Sequence, residues 1–128
     1  MEKKIYIILL LFSMTILVTS CYQPERNCES FKYGTFSFTS TVNGKEETTS
    51  FIRKNNIEID TYNGKTDTSS IRWINSCEYI VKKMRPKNKA EEKSIHIKIL
   101  STTDASYTFE YNIVGDAKKR KGTAIKTK

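Results

Sequence analysis

The sequence predicts an all-β fold: a small antiparallel up-and-down meander of about eight strands, curled into a barrel or half-barrel, with a two-sheet sandwich as the alternative. Three observations predict it. Apolar and polar residues alternate with period two along most of the chain, and helical periodicity is missing after the N-terminal segment. Turn signals separate the alternating runs every 8–12 residues or roughly so. Thr, Ile, Tyr and Phe, which suit a pleated and half-buried surface, are plentiful. A length of 128 residues allows one domain, and two Pro with five Gly exclude collagen-like and Pro/Gly-rich classes.

The first strand is expected at 34–42, with Phe36, Phe38 and Val42 on one face and Ser37, Thr39 and Thr41 on the other. Asn43-Gly44 follows, a hairpin signal because both residues tolerate positive φ. The second strand, 45–54, takes its β-formers from Thr48, Thr49, Phe51 and Ile52. Asn55-Asn56 turns into a third, 57–62, where Ile57 and Ile59 alternate with Glu58 and Asp60. Asn63-Gly64 repeats the hairpin signal, and the fourth strand, 66–75, sets Ile71 and Trp73 against Arg72. Asn75-Ser76 makes the corner to a fifth, 77–84, in which Cys77, Tyr79 and Val81 alternate with Glu78, Ile80 and Lys82. Residues 85–93 form a charged loop or a wide hairpin end. The sixth strand, 94–101, turns Ile95, Ile97 and Ile99 inward. Asp104-Ala105-Ser106 leads to a seventh, 107–114, with Tyr107, Phe109, Tyr111 and Ile113 on one face. After Gly115-Asp116 the eighth, 120–127, places Thr123 and Ile125 together. Short connections favour the meander. A flat sheet of this size would leave two edges and a bare apolar face, and curling removes both.

Residues 1–20 stand apart. Lys3 and Lys4 precede an uncharged, mostly apolar run from Ile5 to Val18. That run is short of the ~20 apolar residues a spanning helix needs and fits the hydrophobic region of a secretory signal peptide. It ends in Val18-Thr19-Ser20-Cys21, which resembles the lipobox of bacterial lipoproteins. The resemblance implies a thioether-linked diacylglyceryl on Cys21 and cleavage after Ser20. More than one acyl chain satisfies the requirement for stable anchoring. The expected organisation is a removed leader over 1–20, a lipidated Cys with a short tether over 21–30, and a single β domain over 31–128. The expected location is the cell envelope, on the outer membrane in preference to the inner, with the domain in the periplasm or at the cell surface. Loss of Glu2, Lys3 and Lys4 would lower the formal net charge of +8 by one.

With Cys21 lipidated, Cys28 and Cys77 remain of the three cysteines. An even pair in a small exported domain suggests one disulfide. It would close a loop of about 50 residues, for which the chain-entropy model gives roughly 4 kcal/mol. Two free buried thiols are the alternative.

Two broader resemblances follow from these residues. A short antiparallel meander behind a lipobox is similar to the lipocalin-like domains of bacterial lipoproteins. Lys32-Tyr33-Gly34-Thr35-Phe36 stands where such domains carry Gly-x-Trp, with Phe36 in the Trp position. The stretch Cys28 to Phe36, then Phe51-Ile52-Arg53, then Ile71 to Tyr79 resembles a group of small, uncharacterised lipoproteins from Bacteroidetes. Trp73, Cys77, Glu78 and Tyr79 are its most specific part, and the group implies no activity.

The chain has neither a Walker loop nor a dinucleotide glycine fingerprint nor Cys-x-x-Cys, and one His with three Cys leaves little material for metal or nucleophile chemistry. No cofactor, metal site or catalytic residue is expected, and the function is read as non-catalytic. The barrel would hold a small apolar or amphipathic ligand, lined by Phe36, Phe38, Trp73, Tyr79, Phe109 and Tyr111, with Arg53 or Arg72 meeting an anionic group. The competing assignment fills the interior, makes Trp73 and Tyr79 core, pairs Glu78 with a surface Arg, and makes the protein an interaction module for another envelope component. Arg53 and Arg72 are expected in surface cross-strand pairs, and His96 is expected to face solvent. Two basic clusters, Lys82 to Lys93 and Lys118 to Lys128, form solvated faces or meet anionic headgroups at ~1 kcal/mol per residue. Nucleic acid is not expected as a partner on compartment grounds. The partners expected are the membrane, through the lipid, and an unidentified small ligand or envelope protein, with the chain monomeric.

Overall fold

The computed structural model describes Lys3, Lys4 and residues 25–128. The expected apolar leader, the lipidation expected at Cys21 and residues 22–24 of the expected tether lie outside those residues. Eight strands follow one another: β1 (Gly34–Val42), β2 (Lys45–Lys54), β3 (Ile57–Tyr62), β4 (Lys65–Asn75), β5 (Glu78–Lys83), β6 (Ile95–Thr102), β7 (Ser106–Ile113) and β8 (Arg120–Lys126). Each pairs antiparallel with the next, and β1 pairs with β8, so the meander closes into a barrel. The half-barrel and the sandwich are thereby excluded. The closing seam is short: Phe36 opposite Lys126, Ser37 opposite Ile125 and Phe38 opposite Ala124. Thr35 extends it, donating its N–H to Lys128 O and accepting from Thr127 N–H.

Local chemistry sets the register. Asn43, Gly44, Asn63 and Gly64 have φ between 48° and 77°, and Asn55 and Asn56 have φ of 53° and 59°. These are two-residue hairpins of the type whose twist matches the flanking strands. Because strands alternate in direction, the connections at 43–44, 63–64, 84–94 and 114–119 lie at one end of the barrel. Those at 55–56, 76–77 and 103–105 lie at the other, which we call the floor.

The floor is sealed by a segment expected to be tether. Cys28–Phe31 is a 3-10 turn with Cys28 and Phe31 buried. Arg26 Nη1 donates to Ile99 O at 3.0 Å, and the Asn27 N–H donates to Thr102 Oγ1 at 2.9 Å. The folded unit therefore includes Arg26 to Phe31, and Phe31 supplies the apolar plug at this end. Cys28 and Cys77 are joined, with an S–S distance of 2.04 Å and Cα atoms 5.2 Å apart. Cys77 sits in the β4–β5 turn and not within a strand, its N–H donating to Asn75 Oδ1. A register shift between Trp73 and Asn75 accommodates this corner.

Above the plug the core is aromatic. Phe36 stacks on Phe51 with ring centroids 5.1 Å apart, and Phe31 meets Tyr107 edge-on at 5.2 Å. Ile71, Val81, Ile99 and Ala124 complete it.

Candidate functional site

The lumen is built from alternate residues of each strand. Phe51 faces in, so Arg53, two residues on, does too. The two-residue turn at Asn55-Asn56 places Arg53 opposite Glu58 and Phe51 opposite Asp60. Strand β3 therefore keeps its alternation but points its polar face inward: Glu58 is buried, while Ile59 is exposed. Arg53 is not the surface pair expected of it. It is 2 % exposed, with its guanidinium inside the barrel and bonded to the plug at Phe31 O.

The partners of Arg53 account for its burial. Nε and Nη2 both donate to Glu58 Oε2, at 3.0 and 2.8 Å. Nη1 donates to Phe31 O at 2.8 Å, and Nη2 also reaches Tyr79 Oη at 2.8 Å and Tyr107 Oη at 3.1 Å. Among the described residues every buried side-chain polar atom has a partner. Burial opposes the Arg53 charge, but Tyr79, Tyr107 and Glu58 outweigh it and hold the guanidinium above its ordinary pKa. Burial pushes the Tyr79 and Tyr107 hydroxyls up in turn, so they stay protonated. The network ties β2, β3, β5, β7 and the plug into one floor.

Above this floor the lumen is not filled. A cavity of about 180 Å³ is lined by Phe38, Phe51, Tyr79, Ile97, Tyr107, Phe109 and Tyr111, with Arg53, Glu58 and Asp60 on one wall. A second space of about 390 Å³ adjoins it at the mouth, sharing Glu58, Asp60, Ile95 and Ile97 and adding Ser69, Val81, Lys83, Glu91 and Lys93. Eight strands enclose just enough room for side chains or one small ligand.

The carboxylates along this wall differ in what they meet. Glu58 is bound to Arg53. Asp67, opposite Asp60 across β3 and β4, pairs with Lys83 at 3.1 Å, and Lys83 also reaches Glu91 at 3.3 Å. Asp60 lies between these pairs, and among the described residues nothing donates to its carboxylate. Burial, then the neighbouring Glu58 charge, raises its pKa from 3.8 to about 7.

Of the residues expected to line a ligand, Phe38, Tyr79, Phe109 and Tyr111 come together around the cavity. Phe36 does not: at 0 % exposure it belongs to the core beside the plug. Trp73 packs on Tyr79 at 4.5 Å, with Lys32 Nζ 5.0 Å over its ring, and lies outside the cavity lining. Arg72 is exposed on the outer wall, on the opposite face of β4 from Ile71. It therefore cannot share an anion with Arg53, whose donors are already engaged. Phe51, Tyr107 and Asp60 are lining residues that motif reading passed over. Ile95, expected inward, is 37 % exposed because it sits at the open mouth.

Outside the barrel, Glu78 meets His96 Nε2 at 3.1 Å and Lys98 at 3.7 Å, not an Arg, because β5 and β6 set these residues side by side. The basic clusters divide by end. Lys82 to Lys93 and Lys118 to Lys121 surround the mouth, whereas Lys126 reaches back to the plug, donating to Ser30 O at 2.6 Å.

The fold and site define a class: an up-and-down eight-stranded barrel with a sealed floor and a one-ended lumen. The chain matches no family model, no curated protein and no solved structure.

Proposed function

We propose that the protein is a cell-envelope lipoprotein, anchored through lipid on Cys21, whose barrel holds a small apolar or amphipathic ligand without acting on it chemically. The observation that carries the binding reading is the space above the Arg53 floor. Aromatic side chains surround it, and its outer part, about 390 Å³, falls in the range of small-ligand sites, ~300–1,000 Å³. The Cys28–Cys77 disulfide is compatible with an oxidising compartment and so supports export. The orientation follows from the anchor. Cys21 would tether the plug end, so the mouth and its basic rim face away from the membrane, not onto its headgroups.

The test is intact and native mass spectrometry of the full chain, expressed in a lipoprotein-processing bacterium and extracted in mild detergent. The expected polypeptide begins at Cys21 and carries diacylglyceryl. In the native spectrum a small molecule of defined mass accompanies the barrel and leaves on unfolding. An unprocessed chain overturns the anchor. A lumen that neither carries nor takes up any small molecule overturns the carrier and leaves the interaction module.

A further inference from the structure

From the unmatched carboxylate in an aromatic lumen, we infer that the ligand is a small organic cation, an amine or guanidinium on an apolar or aromatic body, whose charged head is held by Asp60. This deepens the carrier reading above and rests on it.

Charge matching inside the barrel carries the argument. Arg53 meets Glu58 on β3, and Lys83 on β5 meets Asp67 on β4 and Glu91 beyond β5. Asp60 has no such partner among the described residues. The mouth loop brings Lys93 to the edge of the same space, but Lys93 is exposed and makes no ion pair with Asp60. A half-buried carboxylate is costly in its ionised form unless paired, and a cation entering the cavity would supply that pairing. The neighbours suit a cation. Phe51, Tyr79, Tyr107, Phe109 and Tyr111 line the space, and aromatic rings attract organic cations held within ~6 Å of their faces. The floor already uses its rings this way: the Arg53 guanidinium lies 4.8 Å from the Tyr79 centroid and 5.3 Å from that of Phe51. An anionic head finds no free donor on Arg53, since its donors are engaged by Glu58, Phe31 O and the two tyrosines.

The carboxyl must ionise to hold a cation. The groups facing it from the packed elements are Arg53 on β2, Glu58 on β3, Asp67 on β4 and Lys83 on β5. Burial and the two acids keep it protonated until near neutral pH. Cation affinity therefore rises as pH increases through about 7, while affinity for a neutral ligand of the same shape does not.

The experiment is calorimetric titration of the full lipidated chain in nanodiscs with three probes of one shape: 1-naphthylmethylammonium, 1-naphthylmethanol and 1-naphthoate. At about pH 8 the ammonium is expected to bind on the order of tenfold or more tightly than the alcohol, and the naphthoate most weakly. Asp60→Asn should remove the ammonium preference and bring ammonium and alcohol affinities together. Lowering the pH to about 6, where the amine stays protonated, should remove most of the ammonium preference in the wild type and change nothing in the variant. Alcohol binding as tight as ammonium, tightest binding of the naphthoate, or an ammonium preference that survives in Asp60→Asn would each overturn the cation assignment while leaving the carrier standing. Failure of all three probes to enter would overturn the carrier reading itself. Trp73 fluorescence, which reports the floor, confirms that the variant is folded in each case.

Discussion

Arg53 and Asp60 face the same lumen and are stabilised in opposite ways. Removing Arg53 leaves Glu58, 7 % exposed, with its charge unpaired, and strips two tyrosine hydroxyls of a donor. Breaking a buried pair from one side costs about 3–5 kcal/mol, whereas replacing both partners by apolar residues of similar size is often close to neutral. Arg53→Met should therefore cost about that much in chemical denaturation, and the double change Arg53→Met, Glu58→Leu should recover most of it. A loss below about 1 kcal/mol in the single variant would show that the floor does not depend on this pair. Asp60 behaves in the reverse sense. Its folded pKa is about 7, held up first by burial, while an unfolded Asp titrates near ~3.9. Over that interval the folded protein holds a proton that the unfolded chain has released, so stability falls as pH rises toward 7 and is full below ~4. Asp60→Asn should flatten this slope. Its gain over the wild type at about pH 8 should be on the order of 1–2 kcal/mol, less than the full shift implies because water reaches the carboxyl through the mouth. Thermal unfolding of both proteins from about pH 5 to 8 checks this, and parallel curves would refute it.

At the scale of the strand, closure depends on β8 being thin. Gly122 lies opposite Phe109 in β7, and a Cβ there would come within 2.5 Å of the Phe38 ring and 2.9 Å of the Phe109 ring. Those rings meet edge-on at 5.4 Å across β8 and form one wall of the cavity. Gly122→Ala should cost about 1–3 kcal/mol through overpacking and push one ring into the lumen. Adding Phe38→Leu should restore stability, and equal stability of the single variant would remove Gly122 from this role. Most strand boundaries were legible because the Asn-Gly and Asn-Asn turns state where each hairpin reverses. Which face of β3 points inward was not. Ile57 and Ile59 look like the core face, yet Phe51 and the two-residue turn at Asn55-Asn56 oblige Glu58 and Asp60 to point in. That hairpin arithmetic was available in the sequence, but apolar patterning argues against it. The role of Cys28–Phe31 was hidden for another reason: a polar stretch with one Phe acquires its role as plug only once a barrel exists for Phe31 to close.

For the whole molecule, the plug decides whether the lumen has one opening or two, and the disulfide is one of its holds. Cys28 and Cys77 are 49 positions apart, and the bond holds the plug against the β4–β5 corner. In the loop-entropy model such a bond stabilises by roughly 4 kcal/mol. The plug has further holds of its own: the Arg26 and Asn27 hydrogen bonds, the Arg53 contact to Phe31 O, and the Lys126 contact to Ser30 O. Cys28→Ala with Cys77→Ala should therefore lower stability by less than the barrel's total and leave it closed, while the plug opens on its own far more often. Hydrogen exchange separates these events. Backbone amides of Asn27 to Lys32 should lose protection in the variant, by on the order of a hundredfold or more if most of the loop entropy is released locally. Amides of the β1–β8 seam should follow global unfolding only. Equal loss at plug and seam would mean that the bond holds the whole barrel together. Unchanged protection at the plug would mean that Phe31 and Arg53 seal the floor without it.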